Sequence, residues 1–425
     1  MTNGDPHNTA RSSIFASLRY PGAKRYFAGL TLSMIGTWMQ SIAMSWLVVK
    51  KLGGSGRELG LLSIFQFTPM LLLGAWAGAL SDRVDKRRVM FVTQTLLGCA
   101  ALSLALLDFT DRATLPAVLG VAAISGLAGA FDTPVRRAMV GDLVPKFALP
   151  NAMSLNTGVI TSSRVFGMAL GGFVTRFGGT GYCFLANGLS YLAMLVALVG
   201  LGQRAHRSDR PTEKAGARDA VAHIARTPAL AVSMLATIVV ATLTFNYQLT
   251  FPLLVKEVFH RKADALGTML AITSVGSFAG AMMSARRRTP SLRLFLASAT
   301  LMGASSCVMA IAPSFWFACG ASIPMGVGGG LLMSQLSGLL TSLSPSTMRG
   351  RVLGLQSVVF MGSTPFGGPL LGAVADNAGP RWAMGTGGIA AVAAGLAGLA
   401  WVRLRSPDVV PAAGNRAGGL RSASG

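Results

Sequence analysis

One arginine within a long apolar run has the clearest potential for chemistry in this sequence. Arg164 lies about twelve residues into the run 152–174. A cation at that depth in a lipid bilayer costs at least about 3 kcal/mol, so it requires a compensating partner. It either lines a cavity and meets an anionic ligand or a carboxylate, or it pairs with backbone carbonyls and polar side chains and only fixes helix packing.

Carboxylates that could take up and release a proton are scarce in the apolar part of the sequence. Asp132 stands near the end of one apolar run, and Glu58 comes directly before another. A buried carboxylate changes its pKa with its surroundings, which proton coupling requires. Asp132 is therefore the first candidate for proton coupling and Glu58 the second, although Asp132 could instead be a structural partner of Arg136, Arg137 or Arg83.

Polar and aromatic side chains within the apolar runs could line a binding cavity. Such side chains also form hydrogen bonds between helices, so each has both interpretations. Together with Arg164, the candidates are Gln40, Trp46, Asn156, Ser163, Asn246, Tyr247, Gln248, Gln335 and Gln356. Methionines and aromatic rings repack around bulky amphipathic molecules, so a cavity of this composition favours such ligands.

The sequence lacks the residue patterns of enzymes and nucleotide-binding proteins. It contains no G-x-x-x-x-G-K-[ST] loop, no G-x-S-x-G elbow and no cluster of histidines, cysteines or carboxylates with catalytic or metal-ligand spacing. We therefore expect no enzymatic activity, no cofactor and no metal site.

Twelve apolar runs carry these residues, each long enough to cross a bilayer as a helix. The sequence is 52% hydrophobic and 12% charged, against about 25% charged in soluble domains, so much of the surface must face lipid. A bilayer core takes about 20 apolar residues of helix, and these runs are too long and too evenly apolar for barrel strands. The predicted spans are 26–49, 59–80, 89–107, 115–135, 152–174, 181–201, 229–255, 265–285, 292–312, 315–340, 352–374 and 382–402.

The distribution of lysine and arginine predicts the orientation of these spans. The formal net charge is +22, and 27 of the 37 basic residues fall in loops on one side, against 9 on the other. Positively charged loops stay on the cytoplasmic side, so both termini are predicted to be cytoplasmic. The charge is thus a topology signal, and we expect the lipid bilayer as a partner and no nucleic acid.

A polar stretch divides the spans six and six, and residues recur across it at an offset of 200. The recurring positions include Gly126, Pro145, Gly167, Gly172 and Gly179. We therefore predict an all-α membrane protein with twelve transmembrane helices in two six-helix halves, related by a pseudo-twofold axis along the membrane normal. The predicted divisions are a cytoplasmic N-terminal segment 1–25, a bundle 26–202, a cytoplasmic linker 203–228, a second bundle 229–403 and a cytoplasmic tail 404–425.

The loop after the second span resembles the loop signature of the major facilitator superfamily, G-x-x-x-D-R-x-G-R-[KR]. The matching residues are Gly78, Asp82, Arg83, Lys86 and Arg87, with Asp85 where the pattern has glycine. The resemblance implies a gate in which Asp82 holds the start of span eleven, where free backbone N–H groups attract negative charge. Alternatively, the loop only retains this side of the protein in the cytoplasm.

Further stretches resemble one branch of that superfamily, the transmembrane secretion effectors, which include the enterobactin exporter and drug-efflux relatives. They are 131–145 and 349–352. A third stretch partly resembles the glycine-rich fifth-helix motif associated with antiporters, and its glycines would let helices pack closely. These glycines are Gly158, Gly167, Gly171 and Gly172.

This resemblance implies a secondary active transporter in a bacterial inner membrane. Such a protein would export a small amphipathic molecule, such as a drug, a siderophore or a secondary metabolite, in exchange for protons by alternating access, and would work as a monomer. An uptake symporter has the same fold and is the alternative. A non-transporting membrane sensor or platform is the third hypothesis.

Overall fold

Long α-helices make up most of the chain. The computed structural model describes residues 16–81, 84–201, 217–287, 289–345 and 348–405, and within these ranges it has no strand. The first helix set comprises α1 Pro21–Lys50, α2 Gly56–Ser81, α3 Lys86–Phe109, α4 Leu115–Leu143, α5 Leu149–Phe177 and α6 Thr180–Val199. After the short helix α7, Ala217–Arg226, the second helix set comprises α8 Pro228–Leu243, α9 Tyr247–Leu253, α10 Ala263–Ala285, α11 Leu292–Ala310, α12 Phe315–Ser342, α13 Arg349–Ala378 and α14 Pro380–Arg405.

Ten helical segments of the described ranges are long and apolar enough to cross a membrane, with 228–258 counted as one segment. The remaining two predicted spans coincide with α2 and α5, which have 26 and 29 residues. Large apolar side chains cover the outside of the bundle, and Leu72, Phe166 and Leu235 each expose more than half of their surface. Such a surface faces lipid, and the chain is a multi-pass membrane protein.

Polar side chains before several helices determine where these helices begin. The Asp85 carboxylate accepts hydrogen bonds from the backbone N–H groups of Arg87 (3.0 Å) and Arg88 (3.3 Å) at the start of α3. Ser291 and Ser314 cap α11 and α12 in the same way. A cap satisfies N–H groups that the first turn leaves free. The aspartate that replaces the expected glycine of the loop signature therefore has a structural role of its own.

The predicted seventh span, 229–255, is interrupted. Three residues separate α8 from α9, and α9 continues into a π-helical turn, Leu254–Val258. The Asn246 side chain donates hydrogen bonds to the carbonyls of Ala241 (3.3 Å) and Thr242 (2.6 Å). At membrane depth a break requires such partners for the freed carbonyls. The best hydropathy window of the whole segment stays high, so the span prediction passed over the polar residues Asn246 and Gln248 at the break.

The predicted linker 203–228 contains α7. His223 Nε2 lies 3.1 Å from the carbonyl oxygen of Leu343, just after α12. This end of the linker thus contacts the second helix set, whereas 202–216 lie outside the described residues.

Contacts at the loops and the adjoining helix ends define the two ends of the bundle. At one end Lys51 Nζ lies 2.7 Å from Asp108 Oδ1, and Arg381 donates to two carbonyls at and after the end of α11 (2.7 and 2.9 Å). These loops are the ones that the charge distribution predicts to be outside, and we call this the outer end. At the inner end Lys86 Nζ lies 2.8 Å from Asp142 Oδ2.

Candidate binding cavity and gates

A cavity of about 270 Å³ lies among the helices of the first set. One face of α1 lines it with Met34, Trp38 and Ser41, which have helical spacing. Side chains of α2, α3, α4 and α6 add polar groups, namely Gln66, Gln94, Ser125, Asp132, Thr133, Arg136, Arg137 and Tyr191. A concave space with apolar walls and convergent polar groups is typical of small-molecule sites.

Asp132 is the acidic residue of this cavity, and both of its carboxylate oxygens have partners. Oδ2 lies 3.2 Å from Arg136 Nη1, one turn later on α4. Oδ1 accepts hydrogen bonds from Gln94 Nε2 (2.9 Å) and Thr93 Oγ1 (3.2 Å) on α3. Of the partners considered from the sequence, Arg136 is in contact with Asp132, and Arg83 lies outside the described residues. A proton on Asp132 would remove the charge that holds this arginine.

Arg164 lies between the two helix sets. Its guanidinium donates to the Tyr247 hydroxyl on α9 and stands over two aromatic rings, 5.1 Å from the centroid of Trp38 and 5.4 Å from that of Tyr247. A second cavity, of about 60 Å³, adjoins it and is lined by the hydroxyl residues Thr273, Ser274 and Ser277 of α10. Because Trp38 also lines the larger cavity, Arg164 stands where the two spaces meet.

The segment after the helix break contacts the first helix set at both of its ends. Tyr247 meets Arg164, as described above. Lys256, in the π-helical turn, donates from Nζ to the carbonyl oxygen of Val49 near the end of α1 (2.6 Å). One short segment therefore joins the second cavity to the outer end.

Of the remaining cavity candidates, Gln40 lines the larger cavity, where its Oε1 accepts a hydrogen bond from Asn187 Nδ2 (2.7 Å). Gln335 instead bridges Ser284 and Ser291 at the inner end of the second helix set (2.7 Å each). Neither cavity is lined by the other candidates, which are Trp46, Asn156, Ser163, Asn246, Gln248 and Gln356.

The sequence interpretation missed the face of α1 that forms the cavity wall. Trp38 lies on a different face of α1 from Gln40, since two residues correspond to more than half a helical turn. Residues 34, 37, 38, 41 and 44 form a stripe at helical spacing, and all of them line the cavity. The helical spacing of these residues around Trp38 is the sequence feature that could have predicted this cavity wall.

The loop motif that implies a gate is described only in part. Asp82 and Arg83 lie outside the described residues, and Gly78 belongs to the last turns of α2. Lys86 contacts the end of α4, as described above, and Arg87 donates to the last carbonyl of α6 (2.9 Å). Both contacts remain within the first helix set.

At the outer end a carboxylate of the second helix set caps a helix of the first. Asp376 on α13 accepts the backbone N–H groups of Gly56 (2.7 Å) and Arg57 (3.0 Å), the first residues of α2. It also accepts the Ser55 hydroxyl (3.0 Å) and lies 3.6 Å from Arg57 Nε. The positive end of a helix attracts an anion. We call this contact the outer clamp, and only the fold brings its two parts together.

Glu58, the second candidate for proton coupling, belongs to the same turn. Its carboxylate accepts the Ser55 hydroxyl (2.5 Å) and the Ser55 backbone N–H (2.7 Å). These hydrogen bonds hold the pKa of Glu58 below its usual range. A carboxylate kept in its charged form at this position stabilises the start of α2.

A second contact between the helix sets involves Arg176, which lies 200 residues before Asp376 in the chain. Arg176 Nε, at the end of α5, is 3.8 Å from Asp264 Oδ2 in the first turn of α10. Nearby, Gly172 approaches Gly267 so closely that a Cβ on Gly172 would lie 2.1 Å from Gly267 Cα. A Cβ on Gly372 would likewise lie 2.2 Å from a carbonyl oxygen of α2. Two equivalent contacts, α5 on α10 and α13 on α2, thus hold the outer end together.

The other glycines of the fifth span differ in their surroundings. A Cβ on Gly167 would lie 2.5 Å from the Ile35 carbonyl oxygen of α1, and one on Gly171 would lie 3.0 Å from the Met39 carbonyl oxygen. Gly158 has no atom within 4 Å of that position. Three of the four glycines therefore make close helix contacts, and Gly158 does not.

We expect Asp376→Asn to loosen the start of α2. The amide lacks the negative charge and places an NH2 group among the N–H donors, so the outer clamp should weaken by about 1–2 kcal/mol. Hydrogen exchange of a peptide covering residues 55–58 should then be about 10-fold faster. Asp111→Asn is the matched control, because Asp111 is an outer-end carboxylate in an ion pair with Lys51. Unchanged exchange in Asp376→Asn would contradict a clamping role.

Sequence comparison places the chain among membrane transporters. The profile of the family described as transmembrane secretion effectors matches residues 12–415. The staphyloferrin A transporter of Staphylococcus aureus is 25% identical over 260 residues, which are 60% of this chain and a little under two thirds, 64%, of that protein. The multidrug efflux pump Tap of Mycolicibacterium fortuitum is 26% identical over 369 residues, 83% of this chain and 88% of the pump.

Solved transporter structures share the fold at low sequence identity. A bacterial homologue of the human lysosomal transporter Spinster, in an inward-facing and unoccupied conformation, superposes with a TM-score of 0.68 at 14% identity, covering 90% of this chain and 95% of that chain. A D-xylose–proton symporter superposes with a TM-score of 0.69 at 16% identity, covering 88% and 97%.

Proposed function

This chain belongs to the transmembrane secretion effector family of the major facilitator superfamily, and we propose that it exports a small amphipathic molecule in exchange for protons by alternating access. It is a membrane transporter and not an enzyme. Its matched relatives include proteins named for a siderophore and for multidrug efflux, which supports a small organic substrate. We further propose that it works as a monomer in a bacterial inner membrane with both termini in the cytoplasm.

We propose twelve spanning helices in two halves related by an axis along the membrane normal. Equivalent backbone features 200 residues apart support this arrangement. Gly179 and Gly379, which precede α6 and α14, have φ angles of +95° and +94°. Pro145 and Pro345 each accept a backbone N–H from the third residue after them (2.9 Å). Duplicated halves of this kind can rock against each other around a shared site.

The closed outer end is the observation that carries the proposal. At the outer end the helix sets are bridged by the outer clamp and by the contact between Arg176 and Asp264. At the inner end Lys86 and Arg87 bind partners of their own set. An alternating-access carrier closes one end at a time, so the closed outer end supports an inward-facing state.

The cavity residues have distinct roles in this mechanism. The substrate enters the larger cavity from the inner end and contacts Trp38 and Arg164. A proton on Asp132 releases Arg136, and this change favours the transition between states. As the inner end closes, Asp82 captures the start of α13 while the outer clamp opens.

Uphill dye movement in everted membrane vesicles tests this function. Vesicles that contain the protein should accumulate amphipathic dyes when a proton gradient is imposed, and an uncoupler should abolish the accumulation. Suitable probes are ethidium, carboxyfluorescein and tetramethylrhodamine methyl ester. Export fails as a proposal if no dye moves, or if dyes enter right-side-out vesicles together with protons, which is the behaviour of an uptake symporter.

We expect Asp132→Asn to retain dye exchange and to lose the response to a pH gradient. The amide preserves the shape of the side chain but cannot take up the proton. Counterflow and gradient-driven uptake, measured on the same vesicles, separate the two effects. Glu58→Gln serves as the comparison, since its carboxylate caps α2 outside the cavity. An intact pH response in Asp132→Asn, together with its loss in Glu58→Gln, would transfer the coupling role to Glu58.

A further inference from the structure

We propose that the transported molecule is an amphipathic anion, held by Arg137 in the larger cavity and by Arg164 at the boundary with the smaller one. This inference names the substrate class of the proposed exporter and rests on that function. Among the described residues, two arginine side chains around the cavities have no carboxylate partner, whereas Asp132 and Arg136 pair with each other.

The charges of the larger cavity do not cancel. Its lining residues include two guanidinium groups, Arg136 and Arg137, and one carboxylate, Asp132. Asp132 is only 3% exposed, and its carboxylate forms an ion pair with Arg136 and accepts hydrogen bonds from Gln94 and Thr93. Arg137, an exposed member of the lining, has no hydrogen-bond or ion-pair partner in the described part of the chain. One cation of this cavity therefore remains free for a ligand.

Arg164 adds a second cation without a carboxylate. Its partners are the Tyr247 hydroxyl and the rings of Trp38 and Tyr247, all of them neutral. The residues that line the smaller cavity with it are hydroxyl and apolar side chains, without an acid among them. A half-buried cation at membrane depth in such surroundings gains most from a ligand that supplies the missing negative charge.

The donors match a carboxylate, sulfonate or phosphate group. Guanidinium binds such oxyanions with two parallel hydrogen bonds, and the Ser274 and Ser277 hydroxyls beside Arg164 can donate further ones. Methionine and tryptophan side chains on α1 provide contact area for an apolar body. A cationic molecule would meet a like charge in each of the two cavities, so the site selects against it.

Two xanthene dyes of opposite charge test the inference on the purified protein. Carboxyfluorescein is an anion, and tetramethylrhodamine methyl ester is a cation on the same ring system. By fluorescence anisotropy we expect the anion to bind about 10-fold more tightly than the cation. Arg137→Gln and Arg164→Gln should each weaken binding of the anion about 10-fold, as loss of one charge-assisted contact predicts.

Matched variants separate a binding role from loss of general positive charge. Arg226→Gln removes the same charge from the exposed surface of α7 and should leave both affinities unchanged. Arg137→Lys should retain most of the affinity for the anion. An unchanged thermal unfolding temperature establishes that each variant is folded, and Arg164→Met, which also removes the charge, replaces Arg164→Gln if the latter unfolds.

The outcomes separate this inference from the proposed function. The inference is overturned if the cation binds more tightly than the anion, or if the anion binds only weakly. It is also overturned if neither Arg137→Gln nor Arg164→Gln changes the affinity for the anion. If the vesicles still export the cation, the exporter proposal survives that result. If the protein binds the anion through these arginines but no dye crosses the vesicle membrane, the site is correct and the transport proposal fails.

Discussion

Replacing Arg164 with alanine is expected to reduce export at least about 100-fold while leaving folded protein in the membrane. The substitution removes a guanidinium that contacts Tyr247 and Trp38 from opposite helix sets. Two charge-assisted contacts of about 1.5 kcal/mol each correspond to a loss of this size. Alanine also relieves the cost of a cation at membrane depth, so the protein should insert and fold normally.

Initial rates in the everted-vesicle assay, normalised to the amount of protein inserted, measure this effect. Tyr247→Phe is the graded comparison, because it removes the hydroxyl but keeps the ring beneath the guanidinium, and we expect it to lose less activity. Arg226→Gln controls for the loss of one positive charge. Wild-type flux from Arg164→Ala would remove Arg164 from the transport site and leave it as a packing residue.

A single methyl group on Gly172 should disfavour closure of the outer end. The Cβ of Gly172→Ala would lie 2.1 Å from Gly267 Cα, and only backbone movement can relieve an overlap of that size. Overpacking typically costs about 1–3 kcal/mol, which would shift the balance between the two end-states by about 10- to 100-fold. We expect export to fall in proportion.

Spin labels across the outer end can follow this shift. Arg112→Cys and Lys262→Cys place one label on each helix set in a background without the native cysteines, and their separation should lengthen in Gly172→Ala. Gly158→Ala is the matched control, since it adds the same group to the same helix at a position with no atom within 4 Å. Equal distance distributions in both variants would show that the glycine contact does not govern closure.

The sequence predicts the membrane class and the positions of the spans well, because both follow from local composition. Arg164 stands out for the same reason, as a charge where few charges occur. Hydropathy averaged over a whole span does not separate α8 from α9, whose break depends on Asn246 reaching two carbonyls. Similarly, Asp85 departs from the loop signature but caps α3, a role that depends on the backbone geometry of the turn.

The parts of the candidate site that escaped prediction depend on the relative placement of distant helices. Asp376 is one acidic residue among several near span ends, and only the packing of α13 on α2 brings it to Gly56. Arg136 and Arg137 look like retention charges in the sequence, yet in the fold both line the larger cavity. The pattern of charges along the chain predicts which loops face the cytoplasm. The net charge of the residues that line a cavity can be read only from the three-dimensional structure.

The interrupted seventh span places one short segment in contact with both the cavity and the outer end. Tyr247 and Lys256 lie nine residues apart on the segment after the break, the first against Arg164 and the second on the Val49 carbonyl oxygen. A ligand that draws Tyr247 away from Arg164 pulls on the same segment that fastens α1 at the outer end. We therefore expect ligand binding in the cavity to be coupled to opening of the outer end through this one short backbone segment.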